Sequence, residues 1–137
     1  MSGGAMLRLV VAGAHMSGLR LNHQLTDLGA KMLAATKTAP VYRMYSLGPR
    51  PALIREPEAS ASGAAFEVEV WELPIEAVGT FLRDGVKAPL AIGDVLLADG
   101  SLVKGFVGES YGVVGAPDIS GHGGWRAYLA AAEAAPQ

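Results

Sequence analysis

Apolar residues gather first in Leu7–Ala12 (LRLVVA), a run with a single charge that predicts a buried strand. A loop bounded by Gly13 and Gly18 (GAHMSG) follows. Beyond it Asn22 offers an N-cap, and Leu25, Leu28, Met32 and Leu33 recur at helical spacing, so a helix is expected there. In VYRMY, Tyr42 and Met44 fall on one side of an extended segment, Arg43 and Tyr45 on the other, and Pro40 marks an edge or a kink. The Pro/Ser/Ala-rich stretch 49–64 is expected to be mobile, enclosing a short strand at Leu53–Ile54. AFEVEVWEL alternates, with Phe66, Val68 and Val70 opposing Glu67, Glu69 and Trp71. Pro74 suits the first position of a helix whose apolar stripe is Ile75, Val78, Phe81 and Leu82, ending at Gly85. Two strands flank Asp99-Gly100, a favoured hairpin turn. After SGHGG, Trp125, Tyr128 and Leu129 mark a last amphipathic helix.

This order predicts an α+β domain, a small mixed and mostly antiparallel sheet rolled toward a β-barrel and flanked by helices. The regular βα alternation of a doubly wound nucleotide fold is missing. With 137 residues the chain fits one domain, expected over 7–132, with a disordered segment 1–6 and a tail 133–137. Net charge is −2 and Lys and Arg form no cluster, which argues against nucleic acid as a partner. The absence of cysteine removes disulfides, thiolate metal sites and thiol nucleophiles. Leu9–Ala14 is too short to cross a bilayer and lacks a signal-peptide pattern, so no membrane association and a cytoplasmic location are expected.

Candidate chemistry centres on the first loop. Gly13-x-x-x-x-Gly18 spells a phosphate loop up to its last two letters, where Leu19 and Arg20 replace the lysine and the hydroxyl that would hold a nucleotide and its magnesium. A concavity of backbone N–H groups over Ala14, His15, Met16 and Ser17 would still suit a carboxylate or an oxyanion, and His15 adds a group that titrates near neutrality. The plainer reading is a tight turn with a surface histidine. GESYG matches Gly-x-Ser-x-Gly, but no helix follows and Ser110 reads as a strand-end residue. The spacing of His15, His23 and His122 fits no zinc signature, so neither a metal nor another cofactor is expected. Glu67 and Glu69 form a paired acid facing a barrel interior or a solvated outer face, and Trp71 on the same side argues against simple wetness. Lys104 and Arg43, each on a strand beside large apolar neighbours, are either edge charges or anion ligands.

The blocks AGAHMSGLRLNHQLTDLGAK, TKTAPVYRMYSL, EVEVWELP, APLAIGDVLLADGSLVKGF and DISGHGGWRAYL together resemble the C-terminal domain of allophanate hydrolase, in order over about residues 8 to 130. The resemblance implies a γ-glutamylcyclotransferase-like fold with a small-molecule pocket at the barrel mouth, lined by the loop after the first strand. In that family an amidase portion cleaves allophanate, and decarboxylation of the carboxylated carbamate intermediate is ascribed to the C-terminal domain. The resemblance carries the family's histidine onto His15, its Ser-Gly onto Ser17 and Gly18, and its Leu-Asn onto Leu21 and Asn22. Arg43, Tyr45 and Lys104 lie in matching blocks and are assigned to substrate binding by their chemistry.

Three departures accompany it. No amidase signature is present, Arg20 stands where the family commonly has proline, and AGAHMS replaces the Tyr-Gly-Ser-Leu-type loop of true γ-glutamylcyclotransferases. Asp84 is the nearest candidate for the catalytic acid of that second group. The leading expectation is a stand-alone enzyme acting on a small carboxylated nitrogen compound, with His15 donating a proton, Gly13 to Gly18 and Asn22 framing the substrate, and Arg43, Tyr45 and Lys104 orienting it. The first alternative is an accessory or dimerisation module that partners a separate amidase chain or forms a homodimer through Trp125 and Tyr128. The second is a cyclotransferase-type lyase working through Asp84.

Overall fold

The computed structural model describes residues 4–57 and 60–134. The remainder of the expected end segments, 1–3 and 135–137, lies outside the described residues. Five strands form one mixed sheet: β1 (Met6–Val11), β2 (Lys31–Lys37), β5 (Glu67–Pro74), β6 (Leu90–Leu96) and β7 (Leu102–Gly108), in the order β2-β5-β1-β7-β6. β1 is central because it is apolar on both faces. Leu9, Val10 and Val11 are all buried, with β5 antiparallel on one side and β7 parallel on the other. Gly105 permits the parallel contact, since a Cβ there would lie 2.6 Å from Val10 Cβ. β3 (Tyr42–Ser46) and β4 (Pro51–Arg55) make a separate antiparallel pair.

The sheet curls until its two edges meet. Thr38, just past β2, bridges Leu97, just past β6, while the Ala39 N–H donates to Leu96 O and the Ala98 N–H to Lys37 O. This seam draws the edge strands into the rolled, mostly antiparallel architecture expected from the sequence. The Asp99-Gly100 hairpin is also present, with Gly100 at φ +89°.

The first helix departs from expectation. α1 covers only His23–Thr26, and Met32 and Leu33 belong to β2, where both are exposed. Gly29 stops the helix at φ +81°, its N–H donating to Thr26 O and the Ala30 N–H to Leu25 O, which closes the last carbonyls and turns the chain toward β5. Asn22 makes no cap bond. The stretch expected to be mobile contains β4, with Pro51, Ala52 and Leu53 buried. Pro74 ends β5 and precedes a single 3₁₀ turn, Ile75–Ala77, before α2 (Val78–Gly85); Phe81 is buried but Ile75 and Leu82 are exposed, so the expected stripe is only partly inward. α3 (Trp125–Ala134) buries Trp125 in the core, which leaves only the partly buried Tyr128 of the expected dimer-face pair near the surface. No helix among the described residues is long and apolar enough to cross a membrane.

Candidate functional site

The loop between β1 and α1 is held in a tight turn. The Met16 N–H donates to Gly13 O (3.0 Å), the Leu19 N–H to Met16 O (3.0 Å) and the Leu21 N–H to Ala14 O (2.8 Å). Two positions demand glycine. A Cβ on Gly13 would lie 2.4 Å from Pro51 Cδ, and Gly18 has φ +77°. Asn22 serves the loop rather than the helix, its Nδ2 donating to His15 O at 2.8 Å.

One side of the loop grips an anion that belongs to the protein itself. Glu69, on β5, accepts the Ser17 N–H at 2.7 Å, the Ser17 hydroxyl at 2.9 Å, the Trp71 indole N–H at 3.0 Å and Arg126 Nη2, from α3, at 3.0 Å. Arg126 Nη2 also donates to Ser17 O at 2.6 Å. Burial pushes the Glu69 carboxyl up, but the donors of Ser17, Trp71 and Arg126 outweigh it and hold the group below the usual carboxylate range. Of the expected acid pair, Glu69 is therefore an ionised structural anchor and Glu67 is exposed. Met16, also expected at the substrate, is buried at 2% exposure and lines the wall on this side.

The other side is built around His15. The residue is 5% exposed, its ring stacked on Phe106 (centroids 4.9 Å apart) and edge-on to Phe81 (5.2 Å). Nε2 pairs with Gln24 Oε1 at 2.6 Å. Burial is the main cause that lowers the ring's pKa; the Gln24 bond opposes it, and the positive charges of Arg50 and Arg20 and the neighbouring His23 add to the lowering. The ring is thus neutral at pH 7. It lines a narrow, mostly apolar cleft with an enclosed volume of about 20 Å³, together with Gly13, Ala14, Arg50, Leu53, Leu90 and Phe106. Nδ1 has no hydrogen-bond partner among the described residues, and the ring it belongs to lines the cleft.

The same cleft gathers unused donors. Among the described residues the N–H groups of Gly13, Ala14 and His15 donate to no acceptor, and the Arg50 guanidinium pairs with no carboxylate. Three unpaired N–H groups, a cation and a neutral imidazole beside apolar walls are a donor set chemically suited to a small anion. Arg50 and Gln24 were missed by the sequence reading. Arg50 sits in a proline-rich connection that reads as linker, and Gln24 carries no motif.

The other expected ligands lie elsewhere. Arg43 donates to Asp118 Oδ2 through Nε (3.0 Å) and Nη2 (2.8 Å) and to Ser62 O, which ties β3 to the segment before α3. Tyr45 is half-buried on the same strand, outside the cleft lining. Lys104 pairs with Asp94 at 2.8 Å across β6 and β7, both half exposed. Asp84 is held by Arg83 on exposed α2 and does not line the His15 cleft, so the structure gives the lyase reading no acid there. Ser110 lies past β7 in an exposed 3₁₀ turn, Ser110–Val113.

Comparison with known proteins gives a consistent assignment. The family model described as allophanate hydrolase C-terminal domain matches residues 7–130. A urea amidolyase of Saccharomyces cerevisiae is 39% identical over 130 residues, covering 90% of this chain but 7% of the relative. A crystal structure of a uropathogenic E. coli-specific protein is 34% identical with a TM-score of 0.85, covering 92% of this chain and 97% of that one. Allophanate hydrolase of Kluyveromyces lactis is likewise 34% identical with a TM-score of 0.85, over 92% of this chain and 21% of that one. A γ-glutamyl cyclotransferase shares the fold at 11% identity and a TM-score of 0.52.

Proposed function

Because this chain belongs to the allophanate hydrolase C-terminal domain family, we propose that it binds a small N-carboxylated compound in the His15 cleft and promotes loss of its carboxyl group as CO₂, a step within urea- or allophanate-type metabolism. The observation that carries this reading is a buried, neutral imidazole that lines one cleft with unpaired backbone donors and an unpaired guanidinium.

The chemistry follows from how those groups are distributed. The end of the substrate that is retained, a carboxylate or carbonyl, rests on the N–H groups of Gly13 to His15 and on Arg50. The departing carboxylate faces Leu53, Leu90 and Phe106, where an apolar wall disfavours its charge relative to neutral CO₂. The C–N bond breaks with its electron pair remaining on nitrogen. That nitrogen takes a proton from Nδ1 of the protonated His15 ring, and the ring, left neutral, is reprotonated from solvent. Since the resting ring is neutral, turnover rises as pH falls toward its lowered pKa.

The test is CO₂ release from N-carboxycarbamate generated in situ from allophanate by an added amidase. His15→Asn should lower the catalysed rate by about 100-fold or more while the thermal unfolding midpoint stays close to wild type. An unchanged rate would remove the mechanism.

The chain spans 7% of the yeast urea amidolyase it matches and 21% of the Kluyveromyces protein, and we propose as a second reading an accessory role beside an amidase. As an accessory module it would bind a separate amidase chain and leave the cleft unused. Copurification with an allophanate-cleaving amidase, together with unchanged activity in His15→Asn, supports this reading over the first.

A further inference from the structure

The His15 ring has a partner whose orientation is itself fixed. Gln24 leaves α1 with Oε1 facing His15 Nε2 at 2.6 Å and Nε2 donating to Asp84 O, at the end of α2, at 3.4 Å. That second contact assigns the two ends of the amide. The nitrogen must face a carbonyl, which cannot donate, so the oxygen must face the imidazole. A carbonyl oxygen 2.6 Å from Nε2 requires Nε2 to carry the hydrogen.

We propose that Gln24 is a positioning residue that holds His15 in the Nε2–H tautomer and so presents the Nδ1 lone pair to the cleft. The proposal deepens the decarboxylation reading and rests on it for its catalytic meaning: a ring locked this way exchanges protons with a ligand only through Nδ1. Three further features restrict the ring to that arrangement. Phe106 stacks against one face and Phe81 meets it edge-on, which limits rotation about the ring's attachment. Gly85 closes behind the pair so tightly that a Cβ there would lie 3.1 Å from Gln24 Oε1 and 3.3 Å from His15 Nε2. Asn22 Nδ2 fixes the His15 carbonyl from the same segment that carries Gln24.

The charged groups around the ring do not supply an alternative anchor. Arg50 and Arg20 act on it as positive charges, Arg20 Nη2 donates to Pro49 O, and His23 beside Gln24 is exposed. The Asp84 carboxylate on α2 is occupied by Arg83, so only its backbone carbonyl addresses Gln24. No carboxylate among the described residues makes a hydrogen bond to either ring nitrogen. An amide, not an acid, sets the tautomer, and it stabilises the protonated ring less than a carboxylate would.

The test is two-bond ¹H–¹⁵N correlation spectroscopy on histidine-labelled full-length protein, with His15→Asn used to assign the signal. Wild type above neutral pH should show the Nε2–H pattern for His15. Gln24→Leu should give a mixed or Nδ1–H pattern and lower kcat more than it raises KM. Gln24→Glu should retain Nε2–H and move the His15 titration midpoint upward by about one unit or more, with the pH–rate profile moving in step. An Nδ1–H wild-type spectrum, or a Gln24→Leu spectrum matching wild type, overturns the proposal whether or not the protein decarboxylates anything. A fixed tautomer with no loss of CO₂ release in His15→Asn overturns the decarboxylation reading instead.

Discussion

The two sides of the Gly13–Gly18 loop make opposite use of the same backbone. On the Glu69 side the donors converge: the Ser17 N–H and hydroxyl, the Trp71 indole and Arg126 Nη2 all meet one internal carboxylate. On the His15 side donors stand idle beside a cleft. A loop that looks like one anion cradle in the sequence is two structures back to back. The saturated half ties the loop to β5 and α3, and that tie holds the unsatisfied groups of the other half in place.

Breaking the saturated half should produce the largest effect. Glu69→Ala removes the common acceptor, leaves Trp71 Nε1 and the Ser17 N–H without a partner, and reduces Arg126 to its bonds with Ser17. Because the Arg126 side chain is 40% exposed and can recover water, the cost is expected at about 2–3 kcal/mol rather than the full cost of breaking a buried pair. Urea unfolding checks it. Arg50→Gln, on the open half, should raise KM or the inhibition constant of a small carboxylate about tenfold with little change in stability, the scale of one charge-assisted hydrogen bond.

Acid titrates the two halves in separate windows. His15 has a folded pKa below its ordinary 6.5, so the unfolded chain binds its proton first; stability is complete above pH 6.5 and declines as pH falls through the lowered value. Glu69, held below its ordinary 4.5, adds a second decline below that pH. Calorimetric midpoints measured across pH should show both steps, and His15→Asn should erase only the first. The smallest effect belongs to neither half. Lys104→Ala, which removes an exposed pair with Asp94, should shift unfolding by less than about 0.5 kcal/mol and leave CO₂ release unaltered.

What the sequence made legible follows the range of the interactions involved. Strands β1, β3 and β5, the Asp99-Gly100 hairpin and α3 announce themselves through local pattern, and His15 through its place between two glycines. β2 was hidden because KMLAATK has few strand-forming residues and continues a helical spacing; its pairing with β5 decides its state, and Gly29 was the stop signal passed over. Arg50 and Gln24 were hidden for a related reason. Arg50 reaches the site from 35 positions beyond His15, Gln24 folds back from the helix that follows the loop, and nothing local to GPRPA or NHQL records either approach. Arg43 and Lys104 looked like anion ligands for want of their partners, Asp118 and Asp94, which only the fold supplies.

Arg126 fastens residue 17 from the last helix of the domain. On the ribosome, then, the strands and the glycine loop emerge well before the side chain that completes them, and Glu69 has to wait for its cation until the final helix clears the exit tunnel. Closure of the Glu69 side of the loop is thereby made a late event in the folding of this domain, coupled to completion of α3.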